Sequence, residues 1–162
     1  MTLNNEDRNV MIKICMEKAE KAFKASVLLS EIDDYDGAAD RAYYAIFHAE
    51  NALLLTRDIS GNSHKHVHNS ISKEFVKLGE LPDDMNRKIK EVERIRATGD
   101  YSKTKFVTKE EMEESISEAK NFLDITKKLI EKFINAEFNN GTCRSRKKNL
   151  KRSNRNGLQA HQ

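Results

Sequence analysis

Proline and glycine are nearly missing from this chain, with 1 Pro and 6 Gly among 162 residues. Few points can therefore interrupt a helix, and long helices are easy to accommodate. Cysteine is equally scarce. Cys15 and Cys143 stand alone, without a CxxC pair, which argues against a disulfide framework and against a cysteine-ligated zinc site. No apolar run approaches the roughly 20 residues that cross a bilayer. The opening MTLNNEDRNV lacks the basic-then-apolar pattern of a secretory signal, so the expectation is a cytoplasmic protein with no membrane contact. No segment alternates apolar and polar residues in the manner of a strand.

Charge is plentiful, at 34% of residues, but unevenly spread. Seven of the 29 basic residues lie between Gly141 and Gln162, with no acid among them, leaving 22 basic against 26 acidic residues elsewhere. The net +3 thus averages a tail of +7 and a body of −4, and the pI says nothing about nucleic-acid binding by the body. The composition predicts two parts: a helical bundle over 1–138 and a basic, disordered tail over 139–162. The tail is too poor in apolar residues to offset its ordering entropy. It reads either as a clamp on nucleic-acid phosphates or as a solubilising extension.

Within the body the periodicity predicts five helices. The first runs over about 6–31, with Met11, Cys15, Ala19, Ala22, Ser26 and Leu29 as one stripe, widened by Ile12, Met16, Phe23 and Val27. The second, about 36–57, is the most apolar. Ser63 is placed to cap a third helix through about residue 78, and Pro82 stands near the start of a fourth that ends around Thr98-Gly99. Thr108 and Glu111 have the spacing of a capping box for the fifth. The expected fold class is all-α, an antiparallel bundle of four to five helices.

The second helix carries the chemistry. Arg41 and His48 are seven residues apart, which puts them only about 20° out of register on one face, with Tyr44 beside them. A guanidinium and an imidazole are costly to bury unpaired, so this face should meet a partner, a cavity or water. The pair suits a phosphodiester: Arg41 can hold a phosphate with two donors, and His48 can serve as acid or base near neutral pH. Together they can position a ribose 2′-hydroxyl for attack on the adjacent phosphate without a metal or cofactor. The structural alternative is that Arg41 pairs with a carboxylate such as Asp40 and that His48 is bonded within the bundle. Tyr43, Phe47, Leu53 and Leu54 point away from this face and read as core. His64 and His68 share a face while His66 points elsewhere; with too few ligands for zinc, they read as a solvated helix start. Arg96, with Asp100 and Tyr101, reads either as a salt bridge fixing the end of the fourth helix or as part of a nucleotide-holding groove.

The segment Arg41-Ala42-Tyr43-Tyr44-Ala45-Ile46-Phe47-His48-Ala49 resembles the signature helix of HEPN domains, in the archaeal and bacterial group with an AYYAxFHAA core. Further motifs follow in that group's order: Ser63-His64-Lys65, Phe75-Val76, Gly79-Glu80-Leu81, and Arg96-Ala97-Thr98-Gly99-Asp100-Tyr101. The resemblance spans roughly residues 8–135. It implies a bundle of four to five helices that forms a homodimer. In the family's ribonucleases an Arg-x(4–6)-His motif from each subunit meets at the dimer interface as a metal-independent endoribonuclease site. It also implies a toxin–antitoxin setting with a minimal nucleotidyltransferase as partner. RNA or a nucleotide is then the ligand, Arg41 and His48 are the catalytic pair, and Tyr44, His64, Arg96 and Tyr101 are RNA- or nucleotide-binding residues. The alternative within the same family is a non-catalytic nucleotide-binding or protein-interaction module in which Arg41 and His48 stabilise the homodimer. Two positions depart from the ribonuclease pattern: Ala42 stands where a polar residue is frequent, and His48-Ala49-Glu50 replaces the His-x-Tyr extension that partner nucleotidyltransferases modify.

Overall fold

In the computed structural model the backbone is described for residues 3–156 and the side chains for residues 3–141. The chain forms two compact units, Met1–Lys127 and Lys128–Gln162. All regular structure among the described residues is helical: α1 Asn5–Glu31, α2 Tyr35–Leu55, α3 His64–Ile71 continued by a π-helical turn Ser72–Val76, α4 Met85–Tyr101, and α5 Lys109–Asn156. No helix among them is long and apolar enough to cross a membrane.

The helix ends follow local chemistry. Asn4 caps α1 through Asp7 N–H, Asp34 caps α2 through Gly37 N–H, and Ser63 caps α3 through His66 N–H. At α5 the capping box is reciprocal: Thr108 Oγ1 accepts from Glu111 N–H, and Glu111 Oε2 accepts from Thr108 N–H, both at 3.1 Å. The turns after α1 and α2 each place an aspartate, Asp33 and Asp58, in the left-handed region with φ 59° and 57°. Aspartate tolerates that region better than most residues. Asp58 is further secured by Arg8, whose Nη1 lies 3.2 Å from its carboxylate.

The centre of the first unit is α2, which touches α1, α3 and α4. Twelve of its 21 residues are buried, many of them alanines that let neighbouring backbones come close. Its N-terminal half, through Ala38 and Ala39, packs with Ile95 of α4, with Val107 in the connection before α5, and with Met112 of α5. Along α1 the buried residues are Arg8, Ile12, Ala19, Ala22 and Ser26; of the expected stripe and its widening, Ile12, Ala19, Ala22 and Ser26 face inward, whereas Met11 is 39% exposed. The first unit's part of α5 buries Met112, Ser115, Ala119, Phe122, Leu123 and Thr126.

The helix assignment of α5 runs past the expected break at residue 138 to Asn156. Lysine and arginine are good helix formers, so the basic composition that reads as a disordered tail permits a helix just as well. The remaining residues of the expected tail, 157–162, and all its side chains beyond 141 lie outside the described residues.

Gly99 sets how closely α4 approaches α2. A Cβ there would stand 3.2 and 3.3 Å from Asp36 Cβ and Cα and 3.3 Å from a Val107 methyl. Three residues earlier on α4, Arg96 reaches α2. Gly99→Val is therefore expected to cost about 1–3 kcal/mol through overpacking, measurable as a lower urea midpoint with an unchanged slope.

Candidate functional site

The side chains of interest project from three helices of the first unit. Asp40, Arg41, Tyr43, Tyr44, Phe47, His48 and Glu50 come from α2, His64 and His68 from α3, and Glu93, Arg96, Asp100 and Tyr101 from α4.

Arg41 stays accessible, with 40% of its side chain exposed. Its Nε and Nη2 donate to Asp40 Oδ2 at 3.2 and 2.9 Å, and its guanidinium lies 4.9 Å from the Tyr44 ring centre. The other oxygen of Asp40 accepts from Arg96 Nε at 3.3 Å, so one carboxylate joins two arginines. Arg96 is the more buried of them. It also pairs with Asp100 at 2.9 Å, donates from Nη2 to the Tyr44 hydroxyl at 3.3 Å, and lies over the Tyr43 and Tyr44 rings. The salt bridge expected at the end of the fourth helix is thus present, and it neutralises much of the charge Arg96 brings. Tyr101 is 71% exposed, with its ring centre 5.9 Å from the Arg96 guanidinium, and it marks the outer edge of the group.

His48 is half-buried, with its ring 6.2 Å from Tyr44 and 6.0 Å from Phe47. Burial first, then the positive charges of Lys18 and Arg41, push it below the usual histidine value, so it is held as a neutral imidazole. No hydrogen bond ties the His48 ring to another described residue.

His64 and His68 are not the solvated helix start expected of them. The Tyr43 hydroxyl lies 2.6 Å from His64 Nδ1 and 3.0 Å from His68 Nε2, and His68 Nδ1 bonds Glu50 Oε1 at 2.9 Å. Glu50 is 0% exposed. Burial raises the Glu50 carboxyl above the usual range, against the opposing pull of His68. Burial alone would lower His68, but the Glu50 hydrogen bond and charge, with Glu93, outweigh it and raise the imidazole overall. Tyr43 is kept a neutral hydroxyl by its own burial and by Glu93 and Glu50. Phe47 is half-buried instead of lying in the core, because its ring stacks on His64 at 4.2 Å between centres. Tyr43, Leu53 and Leu54 are fully buried as expected.

A sequence signal for this second cluster exists. Tyr43 and Glu50 are seven residues apart, as Arg41 and His48 are, and an acid inside so apolar a helix requires a buried partner. Beside His68 a cavity of about 80 Å3 opens, lined by Asn69, Ser72, Asn86, Ile89 and Lys90. No group of three or more His, Cys, Asp or Glu among the described residues is arranged to hold a metal ion.

The surface thus combines an accessible guanidinium, two half-buried imidazoles and a set of aromatic rings. Such a set can bind a phosphate, stack a base and move protons.

Residues 12–129 match the HEPN domain family. Two proteins of Methanocaldococcus jannaschii are similar to this chain. "Putative toxin MJ0142" is 40% identical over 115 residues, 71% of this chain and 78% of that protein, and "Putative toxin MJ0605" is 36% identical over 132 residues, 82% and 98%. A "UPF0332 protein" of Thermotoga maritima is 30% identical over 125 residues, covering 77% of this chain and 95% of its own length. With the motif helix α2 at the centre of an all-α bundle and the match extending from α1 into α5, the chain belongs to the HEPN domain family.

Proposed function

We propose that this HEPN protein is a metal-independent endoribonuclease of toxin–antitoxin type, acting in the cytoplasm as a homodimer and held in check by a minimal nucleotidyltransferase partner. The observation that carries the reading is the α2 face itself. Arg41 is accessible, and His48 is held neutral beside it with no hydrogen bond to a described residue. A neutral imidazole next to a guanidinium suits removal of a 2′-hydroxyl proton while the arginine holds the scissile phosphate. The exposed ring of Tyr101, and Tyr44 and His64 nearer the motif, offer surfaces for the flanking nucleotides, with Arg96 holding Tyr44 in place. The toxin names of the two Methanocaldococcus relatives agree with this reading.

The test is incubation of the full chain with structured RNA in excess EDTA. Cleavage is expected in wild type. Arg41→Ala should reduce it by about 10²-fold, the usual loss on removing one donor to a developing negative charge. Undiminished cleavage by Arg41→Ala would remove Arg41 from the site.

A second reading has an observation of its own. Asp40 pairs with both Arg41 and Arg96, which lowers the positive charge available to a phosphate. In that reading the protein is a non-catalytic nucleotide-binding or interaction module, and Arg41 and His48 stabilise the homodimer. It predicts no RNA cleavage and a shift toward monomer in gel filtration when either residue becomes alanine.

A further inference from the structure

We infer that His64 is a second proton-handling imidazole of this surface, and that the hydrogen-bonded chain Glu50–His68–Tyr43 sets which of its two nitrogens carries the proton. The base role of His64 rests on the ribonuclease reading; the tautomer control does not.

The argument turns on the Tyr43 hydroxyl. It lies between His64 Nδ1 and His68 Nε2, at 2.6 and 3.0 Å, and it has a single proton to give. When it donates to one imidazole it accepts from the other, so the two nitrogens hold opposite roles. This produces two arrangements. In the first, the Glu50–His68 pair lacks the extra proton: Glu50 accepts from His68 Nδ1–H, Tyr43 donates to His68 Nε2, and His64 donates from Nδ1 to Tyr43. The Nε2 of His64 then carries a free lone pair. In the second, the pair holds one more proton: His68 donates from both nitrogens, Tyr43 donates to His64 Nδ1, and His64 Nε2 becomes an N–H donor. Proton uptake at a fully buried carboxylate and its imidazole thus converts His64 from acceptor to donor without giving His64 a charge.

The groups facing this chain favour placing the positive charge on His68. Around His68 stand Glu50 and Tyr43 from α2, Glu93 from α4 at 4.0 Å, and Lys90 across the adjoining cavity. Around His64 stand Tyr43 and Phe47 from α2 and Arg96 and Glu93 from α4. Burial, Arg96 and His68 lower His64 while Glu50 and Glu93 raise His68, the same direction as the geometry.

The proton count closes. A ribose or water hydroxyl gives its proton to His64 Nε2. The Nδ1–H proton of His64 passes to the Tyr43 oxygen, and the Tyr43 proton passes to His68 Nε2. One O–H bond of the substrate is broken and one N–H bond is gained by the protein. The resulting positive charge rests on His68 beside the Glu50 carboxylate. His64 and His48 each lie within 6.2 Å of both the Tyr44 and the Phe47 ring. Each of these imidazoles, while neutral, can accept a hydroxyl proton beside the same two rings.

The deciding measurement is long-range 1H–15N NMR of the full chain labelled at its histidines, followed through the titration of His68. In wild type, His64 Nδ1 should change from N–H to lone-pair character, and Nε2 the reverse, as His68 takes up its proton. In Tyr43→Phe this exchange should vanish, and in Glu50→Gln it should move to lower pH. A His64 tautomer that ignores His68 in wild type, or still follows it in Tyr43→Phe, overturns the inference. Kinetics supply the second arm. His64→Gln should lower RNA cleavage by about 10²-fold or more, and Glu50→Gln should carry the acid limb of the rate profile to lower pH. RNA cleaved equally, with one profile, by all these proteins leaves the ribonuclease reading standing and overturns the role of His64. RNA left intact by wild type overturns the ribonuclease reading and the base role with it, and the spectra then decide the tautomer control alone.

Discussion

Replacing Glu50 with alanine is expected to destabilise the folded protein by about 3–5 kcal/mol, the usual cost of removing one partner from a buried ion pair. Glu50 is completely enclosed and its partner His68 is mostly so. The substitution leaves His68 Nδ1–H without an acceptor and opens a void at the centre of α2. Glu50→Gln keeps both the volume and an acceptor oxygen and should cost much less. The effect carries a pH signature. His68 is raised in the folded state, so its contribution is fully present below the unfolded value near 6.5 and is lost as pH rises through the folded value. The Glu50→Ala deficit should accordingly be largest on the acid side of neutrality and shrink above it. Urea denaturation of wild type and variant at several pH values reads this directly. A deficit that grows with pH is incompatible with an imidazolium held by Glu50.

Removing the motif imidazole should have the larger effect on activity. His48→Ala is expected to lower RNA cleavage by about 10²–10⁴-fold, the range for loss of a positioned acid or base, with its fold and stability near those of wild type. The pH dependence identifies the group. Burial, Lys18 and Arg41 lower His48, so its neutral form persists below the ordinary 6.5. The acid limb assigned to His48 should therefore lie below that value. Lys18→Ala removes one of the charges responsible and should move this limb to higher pH while leaving the plateau rate unchanged. The linkage to stability has the opposite sign from that of His68. A histidine lowered on folding costs stability as pH falls below the unfolded value, so His48→Ala should lose less stability on acidification than wild type. Rates across the pH range for wild type and Lys18→Ala check the limb, and urea denaturation of wild type and His48→Ala over the same range checks the linkage.

The two clusters differ in how far the sequence announced them. Arg41 and His48 stand seven residues apart on one helix, and a spacing within one helix needs no tertiary information to read. The same holds for the helix caps, because Asn4, Asp34, Ser63 and Thr108 each satisfy backbone donors within three residues of themselves. Glu50, His68, Tyr43 and His64 come from two helices, and no periodicity states which face of α3 meets which face of α2. His64 and His68 were visibly on one face, but whether that face met water or a tyrosine depended on how the helices pack. Phe47 differs from expectation for the same reason: a phenylalanine on the flank of an apolar helix reads as core until a histidine from another helix stacks on it.

Composition and periodicity by themselves determined an all-α bundle, its helix starts and the motif face of α2, because these depend on residues close together in the chain. The packing of α3 and α4 on α2 decided the rest. It brought Arg96 to Asp40, left Arg41 accessible, and joined a buried glutamate through a tyrosine to two histidines. Those contacts form only when separate helices bury their faces against each other.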